Sequence, residues 1–260
     1  MLKTIINAFK VKEIRHKIFM MLLLLLVFRI GCFIPVPGLN RETFGTTIAN
    51  NDFLNLMNSI TGGALSQGTV FALGIGPYIN ASIIMQLLSV GIPALENLSK
   101  QGEEGRKKIA QYTRYVTILL AIIQSVGIVV GFGSSSIQSA LFFGQDWLAA
   151  VFMVVVYTAG AFIVMWLGER ITDYGVGNGQ SMIIFIGILS TAGQAILGKF
   201  TTVFGGGSAG TAAIWELVAF LLVSVVIFFA IVYVDLSERK VPVQYAKQIK
   251  GRKMYGGQSS

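Results

Sequence analysis

The side chains that most often carry chemistry are scarce in this sequence. It contains one histidine, His16, and one cysteine, Cys32. An intrachain disulfide or a Cys/His metal cluster needs more than one such residue, so neither can form. The sequence also lacks the H-E-x-x-H and G-x-S-x-G motifs, and no pair of carboxylates lies in the middle of an apolar stretch. We therefore expect neither an enzyme nor a bound cofactor.

A glycine-rich stretch from Gly175 to Gly179, GVGNG, has the composition of a phosphate-binding loop. It follows a long apolar run and not a strand, however, and it lacks the G-x-G-x-x-G spacing of dinucleotide-binding loops. Glycine adopts positive φ at no steric cost, and an asparagine such as Asn178 tolerates it. The stretch is therefore better interpreted as a tight turn between two helices.

The composition indicates the solvent in which the chain folds. Of its 260 residues, 54% are hydrophobic and only 12% are charged, whereas an average soluble domain has roughly 25% charged residues. Such a chain has too little polar surface to keep a compact globule in water. We therefore expect an integral membrane protein.

Six stretches are apolar enough to cross a bilayer, which needs about 17 to 25 helical residues. Their continuous apolar runs favour helices over the short alternating segments of a membrane β-barrel. The predicted fold is accordingly all-α, a polytopic bundle of about six transmembrane helices. The approximate spans are 18–34, 70–88, 116–132, 147–167, 181–197 and 214–234.

The formal net charge of +8 is distributed unevenly between the predicted loops. Seventeen of the 20 Lys and Arg residues fall on one side of the spans, only Arg41 and Lys199 fall on the other, and Arg29 lies inside the first span. Because Lys and Arg concentrate in cytoplasmic loops, this asymmetry predicts that both ends of the chain are cytoplasmic. The first span is too long for a signal peptide and is interrupted by Arg29, so we expect it to stay in the mature protein.

A short amphipathic pattern lies between the first two spans, with Asp52 as its predicted N-cap and Gly62-Gly63 as its stop. About three turns long, it cannot cross a bilayer. It is either a discontinuous membrane element that lines a cavity or a helix that lies at the interface, and the pattern alone favours neither. Its apolar face is Phe53, Leu56, Met57, Ile60 and Ala64.

Several polar residues lie inside the apolar spans. Arg29 is a functional candidate by default, because a charge inside a span is costly. It lies close enough to the outer end of its span, however, for its guanidinium to reach the lipid headgroups, and we favour that structural role. The others either form hydrogen bonds between helices or line a polar path, and the pattern cannot distinguish these. They are Asn80, Ser82, Gln86 and Gln124.

Four motifs together resemble one family, the SecY subunits of protein-conducting channels. The resemblance runs along the whole chain, in order and at family-like spacing. The motifs are FRIG at 28–31 with IPVPG at 34–38, GIGPYINASII at 74–84, ITDYGVGNGQS at 171–181 and ERKVPVQY at 238–245.

The resemblance implies a ten-helix channel of two inverted five-helix halves, of which this chain would supply the first half and one further helix. It implies an N-terminal segment at 1–17, the first repeat at 18–198, an outer loop with the sixth helix at 199–235, and a basic cytoplasmic loop at 236–260. The short helix at 52–64 would be the plug that closes the pore from outside. Ile75, Ile79, Ile184 and Ile188 match the aliphatic pore ring, and Ser82 and Gln124 belong to one side of the lateral gate.

The resemblance also implies partners and a location. These are small membrane subunits of the SecE and SecG types, a SecA-type ATPase motor, the ribosome, signal peptides with their nascent chains, and lipids of the bacterial cytoplasmic membrane. A secondary transporter of a small solute is the alternative, because such transporters also use broken helices. The residues implied in ribosome or motor docking are Arg239, Lys240, Lys247, Lys250, Arg252 and Lys253.

Overall fold

The computed structural model describes residues 11–131, 136–138, 144–204, 211–238, 243–244, 248–250, 253–255 and 258–259. The described chain is almost entirely helical, as the sequence predicts. Internal contacts divide it into two units, Met1–Ala195 and Ile196–Ser260, and each is described by itself.

The first unit is a bundle of long and short helices. α4 packs against α6, α6 packs against α7, and α7 also contacts α1, while the short helices α2 and α3 pack against each other. The helices are α1 (Lys12–Gly31), α2 (Arg41–Ala49), α3 (Asp52–Ile60), α4 (Gly76–Gly91), α5 (Pro93–Lys100), α6 (Glu103–Gly131), α7 (Asp146–Tyr174) and α8 (Gly179–Phe204), the last of which continues into the second unit.

The second unit contains α9 (Thr211–Asp235) and four very short strands. The strands were not predicted from the sequence. β1 pairs with β4 and β2 pairs with β3, both antiparallel. Their ranges are β1 (Val243–Gln244), β2 (Gln248–Lys250), β3 (Lys253–Tyr255) and β4 (Gln258–Ser259).

Four described helices are long and apolar enough to cross a membrane, namely α6, α7, the Gly179–Thr201 part of α8 and the Ile214–Asp235 part of α9. α4 and α5 would together make a fifth, although they are bent by 100° at their junction. The six spans predicted from the sequence exceed this number. α1 accounts for the difference, because its 20 residues include the charged Arg15, Lys17 and Arg29.

The second predicted span begins later than expected. Residues 61–75 form turns, and helix α4 starts only at Gly76, with Pro77 in its first turn. Proline is well suited to that position because its missing N–H would have no partner inside the helix. The prediction of a continuous span from Val70 is therefore wrong, and the chain between α3 and α4 is a non-helical segment of fifteen residues.

Two apolar clusters hold the first unit together. One gathers side chains of α2, α3, α6 and α7, with Phe44, Ile48, Met153 and Tyr157 almost inaccessible to solvent. The other joins α1, α7 and α8 to residues 64–75. Most other large apolar side chains of the spans are exposed, which is the arrangement expected when lipid surrounds the helices.

The non-helical segment lies directly against α7 at Gly160. A Cβ added to Gly160 would overlap the backbone carbonyl of Val70, so only glycine allows this approach. A Cβ on Gly127 of α6, by contrast, would meet no atom of the described residues within 4 Å. The two glycines therefore form a matched pair that differs in crowding.

We expect Gly160→Ala to lower the free energy of unfolding by roughly 1–3 kcal/mol, because backbone and helix must move apart. Gly127→Ala should be neutral or slightly stabilising, since alanine is the better helix former. Unfolding of the purified chain in mixed micelles, followed by tryptophan fluorescence, measures both. Equal effects of the two substitutions would contradict the close packing at Gly160.

Candidate functional site

The short helix α3 is the centre of the candidate site. Its N-cap is Asn51, whose side chain accepts a hydrogen bond from the Leu54 amide at 3.2 Å. The predicted cap, Asp52, is instead the first residue of the helix, where its negative charge suits the helix dipole. The helix ends at Ile60, and Gly62 and Gly63 follow with φ of +71° and +86°, which confirms the predicted glycine stop.

The buried residues of α3 coincide only in part with its predicted apolar face. Leu54 is the helix's fully buried residue, and Met57 and Ile60 are half-buried. Phe53 and Leu56 are 66% and 59% exposed. Ala64 is buried, but it lies beyond the helix in the turn segment, so the predicted helical range of 52–64 is too long.

The C-terminal end of α3 rests on α8. The Thr191 hydroxyl donates a hydrogen bond to the backbone carbonyl of Ser59 at 3.1 Å. One turn earlier on α8, a Cβ added to Gly187 would overlap the carbonyl of Ile60. α3 is thus packed on protein at this end, and the interpretation as a discontinuous membrane element fits better than a free interfacial helix.

The Arg29 side chain of α1 points towards the contact between the C-terminal end of α3 and α8. Its Nη2 donates to the Ser190 Oγ of α8 at 2.6 Å, and its guanidinium lies 5.5 Å from the ring centre of Phe33. Nη1 is buried and has no hydrogen-bond partner among the described residues. A Cβ added to Gly62 would lie 2.5 Å from this atom. Arg29 therefore contacts α8 and the end of α3, and its expected approach to the headgroups stays a prediction.

Three of the four predicted pore-ring residues belong to one apolar cluster. Ile75 is 4% exposed, and Ile79 and Ile184 pack half-buried against the cluster. Ile188, one helical turn after Ile184, is 48% exposed and lies outside the cluster. The backbone amide of Ile79 donates to the carbonyl of Ile75, which fixes these two residues one above the other at the start of α4.

The predicted gate residues lie on two helices that pack together, Ser82 on α4 and Gln124 on α6, and both are half-buried. Neither side chain forms a hydrogen bond within the described part of the chain. The polar link between α6 and α7 is instead made by Ser125 and Thr158, whose hydroxyl oxygens lie 3.2 Å apart. The sequence analysis missed this contact, because the spacing of Ser125 and Thr158 does not differ from that of other small polar residues in the spans.

A second link between α6 and α7 is an ion pair. Arg114 donates two hydrogen bonds to the carboxylate of Glu169, at 2.8 and 2.9 Å, through Nε and Nη2. Such a two-pronged contact fixes geometry better than a single one. It joins helices that are 55 residues apart in sequence, which is why the sequence did not reveal it.

The glycine-rich turn joins α7 to α8 as predicted, with Gly177 at a φ of +78°. Asn178 has a further function that the sequence analysis missed. Its side chain accepts hydrogen bonds from the amides of Gln180 and Ser181, and it therefore caps α8. The Thr172 hydroxyl accepts from the Gly179 amide at 2.9 Å and closes the turn from the other side.

Most of the predicted docking residues lie outside the described residues, namely Arg239, Lys240, Lys247 and Arg252. Lys250 and Lys253 lie on β2 and β3, where they are paired in the antiparallel register. Within the described chain, no group of three or more His, Cys, Asp or Glu is placed to hold a metal ion.

The family model described as SecY matches residues 69–260. Three curated proteins similar to this chain are described as protein translocase subunit SecY. The protein from Streptomyces galbus is 41% identical over 100% of this chain and 61% of its own length. Those from Staphylococcus carnosus and Pseudomonas aeruginosa are 43% and 42% identical, each over 95% of this chain and over 58% and 55% of their own lengths. The chain thus spans about three fifths of these relatives.

Solved channels share the fold. A SecY structure described by how its plug domain stabilises the closed state and maintains a membrane seal has a TM-score of 0.57 at 25% identity, covering 95% of this chain and 53% of its own. The Sec61 chain of a canine ribosome-channel complex also has a TM-score of 0.57, at 23% identity, and covers 90% of this chain and 51% of its own. The second likeness supports the fold alone.

The cap of α3 can be tested by substitution. We expect Asn51→Ala to destabilise α3 by about 1 kcal/mol, because the Leu54 amide loses its acceptor. Hydrogen exchange of the α3 amides should accelerate about fivefold, the factor that corresponds to this energy. The neighbouring Asn50→Ala is the matched control, since Asn50 is exposed and follows α2. Similar acceleration in both variants would show that the cap is not Asn51.

Proposed function

Because the chain belongs to the SecY family, we propose that it forms the N-terminal part of a protein-conducting channel. Unfolded polypeptides with a signal sequence would cross the membrane through this channel, and apolar segments would leave it sideways into lipid. The observation that carries the proposal is the broken element between α1 and α4. It combines a helix too short to cross a membrane, a buried non-helical segment and a docking surface on α8.

α3 is the proposed plug. A segment that is held at one end on α8, and that is followed by two glycines of positive φ, could occupy a pore and leave it without unfolding the surrounding helices. Its exposed Phe53 and Leu56 would then face the pore or the part of a complete channel that this chain does not supply. The solved SecY channel noted above supports this assignment, since its plug domain is described as stabilising the closed state.

Ile75, Ile79, Ile184 and Ile188 are the proposed constriction. Uncharged aliphatic side chains can close around a passing polypeptide without selecting its sequence, and a narrow apolar ring resists ion flow when it is empty. The common cluster of Ile75, Ile79 and Ile184 supports this role. The exposure of Ile188 is compatible with a ring that residues from the rest of a channel would complete.

We propose that α4 and α6 together form one side of the lateral gate, and that Ser82 and Gln124 belong to that side. A gate must separate without leaving strong polar pairs broken in lipid, and these two half-buried side chains have no hydrogen bond to lose within the described chain. The stronger Arg114–Glu169 and Ser125–Thr158 contacts join α6 to α7 instead. α6 would therefore stay with α7 when the gate opens.

The charge distribution supports the proposed orientation, and the family resemblance supports the proposed domain organisation. We place both ends of the chain in the cytoplasm of a bacterial cell, with the first repeat at 18–198 and the basic loop at 236–260. The basic residues of that loop, Arg239 to Lys253, suit RNA phosphates or an acidic protein surface. The proposed partners are the ribosome, a SecA-type motor, and membrane subunits of the SecE and SecG types. The motor would supply the energy, and the chain itself would perform no covalent chemistry.

Reconstitution tests this proposal directly. The chain is co-expressed with the C-terminal portion of the Staphylococcus carnosus relative, and the assembly is purified with SecE-type and SecG-type subunits and placed in vesicles. With a SecA-type motor and ATP, a signal-bearing precursor should become protected from external protease. The proposal fails if the precursor stays accessible while the complete S. carnosus channel protects it under the same conditions.

The constriction can be tested in the same vesicles. Ile79→Asn should increase ion leakage through the idle channel several-fold, because a polar side chain allows water to fill the ring. Ile84→Asn is the matched control, since Ile84 is exposed on another face of α4. Unchanged leakage in Ile79→Asn, or altered uptake of a small solute without protein translocation, would contradict the channel assignment and favour a solute transporter.

A further inference from the structure

Arg29 requires an explanation because one of its guanidinium nitrogens is buried without a hydrogen-bond partner among the described residues, and burying a charge is costly. Arg29 is directed at other parts of the helix bundle. Its Nη2 is bound to Ser190, and its Nη1 is buried without a partner among the described residues. The side chain is thus held at a costly position, close to Gly62 at the end of α3. Its surroundings indicate what the charge stabilises there.

The end of α3 carries the complementary charge. The last carbonyls of a helix have no partner inside the helix and create a partial negative charge there, which a nearby cation stabilises. α3 ends at Ile60 and its C-cap is Thr61, so the guanidinium beside Gly62 lies at this negative end. Arg29 Nη1 is buried, so water screens its attraction to this end less than at an exposed site.

Three small residues on α8 complete the contact. Gly187, Ser190 and Thr191 follow the i, i+3, i+4 spacing that places side chains on one helix face. Gly187 allows the Ile60 carbonyl to approach, Ser190 accepts from Arg29, and Thr191 donates to the Ser59 carbonyl. α1, α3 and α8 therefore meet at one polar site, although α1 and α8 are 161 residues apart at this contact.

We propose that Arg29, Ser190 and Thr191 form a polar latch that holds the C-terminal end of α3 on α8, and that Arg29 is its positioning residue. This rests on the proposed function in one respect: if α3 is the plug, the latch sets the equilibrium between the closed and open channel. A weaker latch would let a weaker signal sequence open the channel, because less binding energy is then needed to shift the two populations.

The latch itself is tested by the accessibility of α3. Cys32, the single native cysteine, is replaced by alanine, and Ile60→Cys is introduced as a reporter at the half-buried end of the helix. The chain is placed in vesicles, and the rate of its reaction with a water-soluble maleimide is measured. Arg29→Gln should raise this rate about tenfold or more, as expected when a charge-assisted hydrogen bond is lost. Arg29→Lys, which keeps the charge, should restore part of the protection.

Control variants separate the latch from general loss of structure. Arg41→Gln removes an exposed arginine outside the latch and should leave the rate unchanged. A second reporter, Ala149→Cys, lies fully buried in α7 and should stay unreactive when Arg29 is changed. If Arg29→Gln does not accelerate labelling of Ile60→Cys, or accelerates labelling of Ala149→Cys equally, the latch is refuted.

Two further variants test the remaining members with little change in shape. Thr191→Val replaces a hydroxyl by a methyl group and should accelerate labelling several-fold. Ser190→Ala should have a similar effect in the unmodified chain but little further effect when combined with Arg29→Gln, because both act through the same bond. Additive effects of Ser190→Ala and Arg29→Gln would overturn the assignment of Arg29 as a positioning residue that acts through its bond to Ser190.

The consequence for signal recognition is measured separately, in the co-assembled channel described above. Arg29→Gln should allow translocation of a precursor with a weakened signal sequence that the unmodified assembly rejects, whereas Arg41→Gln should not. Accelerated labelling without relaxed recognition would overturn the link to signal selection. Because the labelling assay needs no translocation, failure of the channel assignment and failure of the latch give different results.

Discussion

The structure depends on one constraint, that each backbone polar group of the non-helical segment 61–75 must find a partner inside the protein. In a bilayer no water is available to supply it. The amide of Val36 donates to the carbonyl of Gly68, and the amide of Val70 donates to the carbonyl of Ile34, both at 2.9 Å. The exit of α1 is therefore joined to the middle of the segment by the pairing of two short extended stretches.

Side chains form hydrogen bonds with some backbone groups that this pairing leaves without a partner. The Asn58 side chain accepts from the Ser66 amide at 2.8 Å, and the Thr69 hydroxyl donates to the carbonyl of Ala64 at 3.1 Å. These contacts hold the chain after α3 in place, and the buried Ala64 and Leu65 anchor it in the apolar clusters. The preceding helix, α3, is held more weakly, because among its nine residues Leu54 alone is buried. In the proposed function, a loosely held α3 that precedes a fixed segment could move as a plug.

The sequence revealed features that depend on local chemistry. The apolar runs, the glycine stop at Gly62-Gly63 and the turn at 175–179 are all encoded by neighbouring residues, and each is found in the structure. Helix α2 was missed although Asn40 provides a recognisable cap for it, because its few apolar residues form no long periodic pattern. Leu54 lies outside the predicted apolar face of α3 and is nevertheless buried, because it packs in one cluster with side chains of α2.

Arg29 illustrates the limit of such inference most clearly. Its distance from the span's end allowed two orientations, and the one it adopts is decided by Ser190 on a helix far away in sequence. In the proposed channel, a latch built from one charge and two hydroxyls would hold a movable plug with less cost on release than an apolar contact. An apolar surface that leaves its partner is exposed to water in the open pore, which costs free energy in proportion to its area. If α3 is the proposed plug, a guanidinium and two hydroxyls would instead be hydrated when the pore opens, so water would offset part of the cost of releasing it.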